Sequence, residues 1–253
     1  MKILYLGDIC GTDVLDALNT ELPKIRKEEN INIVLANAEN VSDGAGLKRN
    51  DYKKLMSLGI SGLSMGNHTF SKHEITEFLN DSNIVIPANI PSDEYKKILY
   101  IKYNSVNIAL VNMMGRVYNN SPLDSPFKVM DELLNKIKAD YIIVDFHGDA
   151  TSEKKAFFYD FAGKVSAVLG THTHIQTNDE EVYNNTAYIT DLGMCGPKDS
   201  ILGSDKFQII ERFRTGIYQK ANVAKTNKYI ISGAIIDLDK EIKIKKFNKI
   251  IKR

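Results

Sequence analysis

A series of strand-length apolar runs, several nearly unbroken, constrains this chain most. Residues 31–36 read INIVLA and residues 141–144 read YIIV. A strand with one face in water alternates polar with apolar side chains, so runs this continuous need cover on both faces. Similar runs occupy residues 3–6, 60–65, 84–86, 106–111, 165–169 and 187–189. Between them lie helix-like stretches at 14–29, 51–58, 73–79, 127–138 and 152–161. This alternation predicts an α/β fold. Around 97–114 and from 229 onward strand patterns follow one another directly, which predicts antiparallel additions. No repeat, linker or low-complexity tract interrupts the chain, so residues 1–253 are expected to form a single domain, with 201–228 carrying no legible pattern.

Composition narrows the class. With 253 residues, 43% hydrophobic, the chain can bury a substantial core, which excludes disorder. Thirty-three basic against thirty-two acidic residues leave a formal charge of +1, so no global field draws the protein to nucleic acid or an anionic membrane. Two cysteines, Cys10 and Cys195, are too few for a disulfide framework and fit a reducing compartment. The opening MKILYLGDI reads as a strand and not a secretion signal, and no apolar run approaches the roughly 20 residues of a membrane-spanning helix. A soluble, cytoplasmic protein is expected.

The chemistry-bearing residues gather where the expected strands stop. Asp8 follows KILYLG, Glu39 and Asn40 follow INIVLANA, Asn67 and His68 follow ISGLSMG, His147 follows YIIVDF, and His172 and His174 follow VSAVLGT. In an open α/β sheet the carboxyl ends of the strands share one rim, where ligands bind. Four of the five histidines lie in these clusters. Imidazole, carboxylate and amide oxygen without thiolate suit iron, manganese or zinc, and they are more donors than one tetrahedral ion needs. Two metals are the economical reading. His172 and His174, two apart, would reach the same side if the chain stays extended there.

GDI at 7–9, NAEN at 37–40, GNH at 66–68, DFH at 145–147 and GTHTH at 170–174 resemble the motifs of calcineurin-like metallophosphoesterases. NAEN, GNHTF, PAN at 87–89, DFHGDATSEK, GTHTHIQTND and TDLGM resemble more narrowly the YmdB-type subfamily, in order from residue 3 to about residue 203. The resemblance implies mixed β-sheets packed as a sandwich flanked by helices. It also implies that Asp8, Glu39, Asn40 and His174 hold one metal, that Glu39 reaches the second, that Asn67, His147 and His172 complete that second site, and that His68 is the general acid. The implied ions are iron or manganese, and the implied substrates are cyclic nucleotides of the 2′,3′ or 3′,5′ class. Two cations roughly 3.5–4 Å apart can share a bridging hydroxide and neutralise the phosphate oxygens. Protonation of the leaving alkoxide contributes about 10²- to 10⁴-fold. The substrate pocket is expected to be shallow and open, holding the base loosely.

Each residue also has a structural alternative. Asp8 could cap a helix, Asn67 could be a turn residue, and a lone histidine after an apolar strand, such as His147, is often a satisfied core residue. Thr151 or Ser152 is expected to cap the helix after DFH. His73 is read as a surface residue, Cys10 as small buried filler and Cys195 as a loop thiol. The Gly-rich SDGAG at 42–46 lacks the lysine and spacing of a phosphate-binding P-loop and reads as a mobile loop bordering the metals. The C-terminal KEIKIKKFNKIIKR reads as a half-buried edge strand guarded by lysines, and as a thin footprint for RNA.

Two departures from the family pattern stand out. No arginine follows GDI, and Gly148-Asp149 replaces the usual Ala-Glu after DFH, a shortening expected to loosen local packing. A phosphomonoesterase or nuclease could use the same site, and a nucleotide- or RNA-binding regulator is the non-enzymatic alternative. Symmetric homo-oligomers are the default for soluble assemblies, so one is expected here.

Overall fold

The computed structural model describes residues 1–252. Two mixed sheets lie face to face with helices on their outer sides. The first sheet runs β2 (Asp8–Ile9), β12 (Met194–Pro197), β13 (Lys228–Asp237), β1 (Lys2–Leu6), β3 (Ile33–Asn37), β4 (Gly62–Ser64), β5 (Ile84–Val85), with β14 (Lys243–Lys252) also paired to β13. The second runs β10 (Glu181–Tyr183), β11 (Thr186–Ile189), β9 (Ala167–Thr171), β8 (Tyr141–His147), β7 (Val106–Met114), β6 (Leu99–Tyr103). The middle pairings β1–β3–β4–β5 and β7–β8–β9–β11 are parallel, while β6, β10, β13 and β14 add antiparallel strands.

The unbroken apolar runs follow from this layering. Along β1, Ile3 and Tyr5 pack between the sheets with Ile108, Leu110, Ile143 and Leu169. Leu4 and Leu6 pack outward against α1 (Asp13–Glu29). Successive strand side chains point to opposite faces, so both registers must be apolar. On the far side, Val144 and Phe146 of β8 meet Phe157, Phe158 and Phe161 of α4 (Thr151–Phe161) and Met130 of α3 (Pro126–Leu134). Helix α1 buries Val14, Leu18, Leu22 and Ile25 at helical spacing and closes on Asn30 in the left-handed conformation, its N–H bonded to the Arg26 carbonyl.

Several local expectations change. The stretch at 51–58 is a helix, α2 (Arg49–Ser57), but residues 73–79 contain only a 3-10 turn, His73–Glu77, and α3 stops at Leu134 instead of 138. Helix α4 has Ala150 at its N-cap with no side-chain cap, because Thr151 and Ser152 already lie inside the helix. Cys195 is no loop thiol: it sits buried on β12 opposite Ile9, with its Sγ donating to the Ser232 carbonyl at 3.3 Å. The unpatterned stretch 201–228 contains a further helix, α5 (Lys206–Thr215), capped by the Asp205 carboxylate. His73 is exposed, and β14 is the alternating edge strand expected. Among the described residues no helix is long and apolar enough to cross a membrane.

Candidate metal centre

The site grows out of the inter-sheet layer. Residues facing that layer are apolar along most of each strand and polar at the carboxyl ends: Tyr5 on β1, Asn37 on β3, Ser64 on β4, Asp145 on β8 and Thr171 on β9. They form one buried network. Tyr5 OH donates to Ser64 Oγ at 2.8 Å, Ser64 Oγ donates to Asp145 Oδ2, and Asn37 Nδ2 donates to the same carboxylate at 3.0 Å. Thr171 Oγ1 donates to Asp145 Oδ1 at 2.6 Å. This plug joins the two sheets, and the expected donors stand above it.

The donors come from both sheets. His147 Nε2 lies 3.0 Å from Glu39 Oε1, 3.0 Å from Asn67 Oδ1 and 3.0 Å from His172 Nδ1. Tetrahedral bonds of about 2.1 Å would set such donors about 3.4 Å apart, so this quartet is close to the spacing of a zinc-, iron- or manganese-sized ion. Glu39, His147 and His172 alone already bring ligand atoms within 4.8 Å of one another. A second group adjoins it. Asp8 Oδ1 lies 3.8 Å from His174 Nε2 and 3.9 Å from His147 Nδ1, and His174 Nε2 lies 3.3 Å from Asn40 Oδ1. Asp8 Oδ1 is fully buried and has no hydrogen-bond partner. A buried carboxylate oxygen without a partner is costly, and a cation is the natural occupant of the place it faces. The residues present therefore fit a metal centre.

Electrostatics match that reading. Burial pushes the Asp8 carboxyl up to about 6, against the pull of His174 and His147. Burial also acts against the Glu39 charge, but His147 and the His68 backbone N–H outweigh it and hold Glu39 down at about 2. Burial pushes His147 down, and Glu39, Asp8 and Asp145 outweigh it, holding the imidazole up at about 9. His172 is pushed down by burial and by the neighbouring His147.

Supporting contacts orient each donor. Asn40 Nδ2 donates to the Gly44 carbonyl at 3.1 Å, which turns Oδ1 toward His174. The His68 N–H donates to Glu39 Oε2 at 2.8 Å, and its Nδ1 lies 3.3 Å from Ser71 Oγ. His172 and His174 do not reach the site on an extended chain, as expected above; β9 ends at Thr171 and they take φ values of 101° and 65°. Such strained backbone persists only where its surroundings hold it. Here buried Lys154 donates to the Thr171 carbonyl at 2.8 Å and to Asp191 Oδ2 at 3.0 Å, and the same Asp191 oxygen accepts the Thr173 N–H at 3.0 Å. At Gly66, of the GNH motif, a Cβ would collide with the His147 ring.

Sequence reasoning missed this supporting set. The signal was available for Asn37, Asp145 and Thr171, which sit at even spacing from inward apolar residues of their own strands. Asp149 was missed too. Its Oδ2 lies 3.2 Å from His172 Nε2, so the Gly148-Asp149 departure does not loosen the site; Gly148 instead lets the chain close on Gly115. Residues 42–46 are tied rather than loose: Asp43 Oδ2 accepts from Lys48 and Lys72 at 2.9 Å each, and Ser42 Oγ donates to Asp51 at 2.7 Å. Cys10 is buried filler, its thiol pushed up to about 12 by burial.

A cleft of about 530 Å³ opens over the donors, within the range of small-molecule sites. Glu39, Asn40, His68, His172 and His174 line its floor. Residues of α5 and the chain after it line one side of it.

The model of the YmdB-like protein family matches residues 4–250. The 2′,3′-cyclic-nucleotide 2′-phosphodiesterase of Bacillus subtilis (strain 168) is 42% identical over 248 residues, covering 96% of this chain and 93% of that protein. Among solved structures, a protein of Thermus thermophilus described as hypothetical superposes with a TM-score of 0.93 at 34% identity, covering 99% of both chains. A Mycoplasma pneumoniae protein described as a novel phosphatase superposes with a TM-score of 0.92 at 31% identity, covering 99% of this chain and 93% of that one.

Proposed function

The chain belongs to the YmdB-like protein family, and on that premise we propose that this phosphoesterase holds two metal ions and opens the phosphodiester ring of 2′,3′-cyclic nucleotides. The convergence of Glu39, Asn67 and His172 on His147 Nε2, beside the unpartnered Asp8 Oδ1, carries the reading. Asp8, Asn40 and His174 would hold one ion, Asn67, His147 and His172 the other, with Glu39 reaching both. Iron or manganese suits this oxygen- and imidazole-rich set, and zinc fits less well with so many oxygens. Bound there, the ions would polarise the phosphate oxygens and activate the attacking water.

The chain's own groups complete the reaction. The oxygen of water attacks phosphorus and gives up a proton to solvent, the P–O2′ bond breaks, and O2′ takes up a proton to leave a 2′-hydroxyl and a 3′-phosphate. His68 would give that proton. Ser71 engages its Nδ1, which leaves Nε2 for the leaving oxygen, and its N–H to Glu39 sets the distance between acid and ligands. Asp149 holds His172 from behind, as carboxylates behind metal-bound histidines do.

The test uses manganese-loaded protein and His147→Ala on bis-p-nitrophenyl phosphate, p-nitrophenyl phosphate and 2′,3′-cyclic AMP. Turnover of the two diesters, abolished in the variant, is expected. Turnover of the monoester alone would make the protein a phosphatase, and no turnover with metals bound would favour a nucleotide-binding regulator. His68→Ala should slow substrates with poor leaving groups far more than p-nitrophenyl esters. Equal slowing would remove His68 as the acid.

A further inference from the structure

Residues 201–224 form an arm that contributes no residue to the hydrophobic clusters of the core. Helix α5 has no buried residue, yet the arm is internally ordered. The Asn222 N–H donates to Gln208 Oε1 at 2.8 Å, the Asp205 N–H donates to the Asn222 carbonyl at 2.8 Å, and Ser204 bridges Val223. Its base rests on the metal-bearing loops. Val223 packs where Gly11 and Gly44 lack side chains, and the Leu202 carbonyl lies 3.0 Å from His174 Nδ1. An arm seated in this way presents a fixed surface to the cleft, and Ile209, Arg212, Tyr218 and Lys220 line it.

The charges on that wall are the informative part. Every acidic residue lining the cleft already has a partner: Glu39 has His147, Asp149 has His172, and Asp43 has Lys48 and Lys72. Arg212 and Lys220 are the two lysine or arginine residues of the lining, and neither forms an ion pair among the described residues. The Arg212 guanidinium instead lies 4.5 Å from the centre of the Tyr218 ring. Stacking in this way restricts the guanidinium while leaving its edge N–H groups free for a planar pair of oxygens. Tyr218 is 72% exposed, so the ring's other face is available to a nucleobase.

A phosphate undergoing hydrolysis would sit on the metal floor and would not need these two cations as well. We infer that Arg212 and Lys220 bind a second phosphate, attached at the 5′ position of the nucleoside whose cyclic phosphate lies on the floor, with Tyr218 stacking on its base. This rests on the proposed phosphodiesterase reading and deepens it: the preferred substrates carry a 5′-phosphate, either terminal or as the link to a preceding nucleotide.

Binding of the reaction products separates this inference from the activity itself. Adenosine 3′-monophosphate and adenosine 3′,5′-bisphosphate are titrated into manganese-loaded protein by calorimetry. The bisphosphate is expected to bind at least about tenfold more tightly, the scale of one charge-assisted contact. Arg212→Gln and Lys220→Gln should each shrink that ratio, and the double variant should bring it near one. Lys206→Gln, which removes a charge from α5 outside the cleft lining, should leave the ratio intact. Equal affinity for the two nucleotides in the parent protein, or a ratio that survives the double variant, would overturn the inference and leave the phosphodiesterase reading standing. Absent turnover with the ratio intact would overturn that reading alone. The 3′-phosphorylated dinucleotide ApAp distinguishes the sources: an equal gain marks an oligonucleotide end, and a gain confined to the bisphosphate marks a terminal 5′-phosphate.

Discussion

Thr171 Oγ1 lies 2.9 Å from His147 Nδ1, and its own proton is committed to Asp145 at 2.6 Å. A hydroxyl has one proton to donate, so toward His147 it acts as acceptor, and His147 must carry its proton on Nδ1. In the neutral ring Nε2 is thereby left with the lone pair, facing Glu39, Asn67 and His172. Neither residue's identity alone sets this tautomer; the contact between β8 and β9 does.

Replacing this hydroxyl tests the relay. Thr171→Val keeps the volume, removes the acceptor and leaves Asp145 short of one donor. Manganese affinity measured by calorimetry is expected to fall about 10- to 100-fold, as for other groups that orient metal-binding histidines. Unchanged affinity would mean that Thr171 does not orient the ring.

The pH dependence of the metal-free protein follows from His147. Its folded-state value of about 9 lies above the value of about 6.5 expected in the unfolded chain. The folded state thus binds this proton more tightly, and the resulting stability is fully present below about pH 6.5 and lost as pH rises through about 9. Asp8, at about 6, completes its own ionisation in the lower part of that window, and its raised value likewise makes the folded state lose stability as pH rises through about 6. A metal must displace the His147 proton, so its own stabilisation grows over the same interval. Melting temperatures of chelator-treated protein should fall from about pH 6.5 to about 9 while the manganese-induced increase widens. A manganese shift independent of pH would argue against ligation through His147.

The Lys154–Asp191 pair is fully buried at 3.0 Å and ties the turn bearing His172 and His174 to the strand ends. Removing one partner from such a pair costs about 3–5 kcal/mol, because the other charge is left in a low-dielectric interior. Lys154→Met should lose that much in urea denaturation and should release the strained turn, weakening metal binding as well. Adding Asp191→Asn should recover part of the stability, since the amide carries no stranded charge. A loss below about 1 kcal/mol for Lys154→Met would show that the turn holds itself.

Much of this protein was legible along the chain. Apolar runs such as residues 31–36 foretold doubly covered strands, and the donors Asp8, Glu39, Asn40, Asn67, His147, His172 and His174 stood out because each follows such a run. Strand ends are readable from local patterning, as both hydrophobic periodicity and its interruption are properties of neighbouring residues. The arm at 201–224 was not legible, since a helix that buries nothing leaves no core pattern to read.

The amino-acid order by itself determined the α/β layering and which residues could serve as donors. Only the tertiary structure decided that these donors meet, because Asp8, Glu39, Asn40 and Asn67 belong with one sheet and His147, His172 and His174 with the other. The packing of Ile3 and Tyr5 against Ile143 and Leu169 sets the two rims against each other, and the Tyr5–Ser64–Asp145 bonds close the gap beneath them. The physical reason is range. Periodicity acts between residues a few positions apart, whereas Glu39 and His147 are far apart along the chain and touch only once two sheets have buried their shared face.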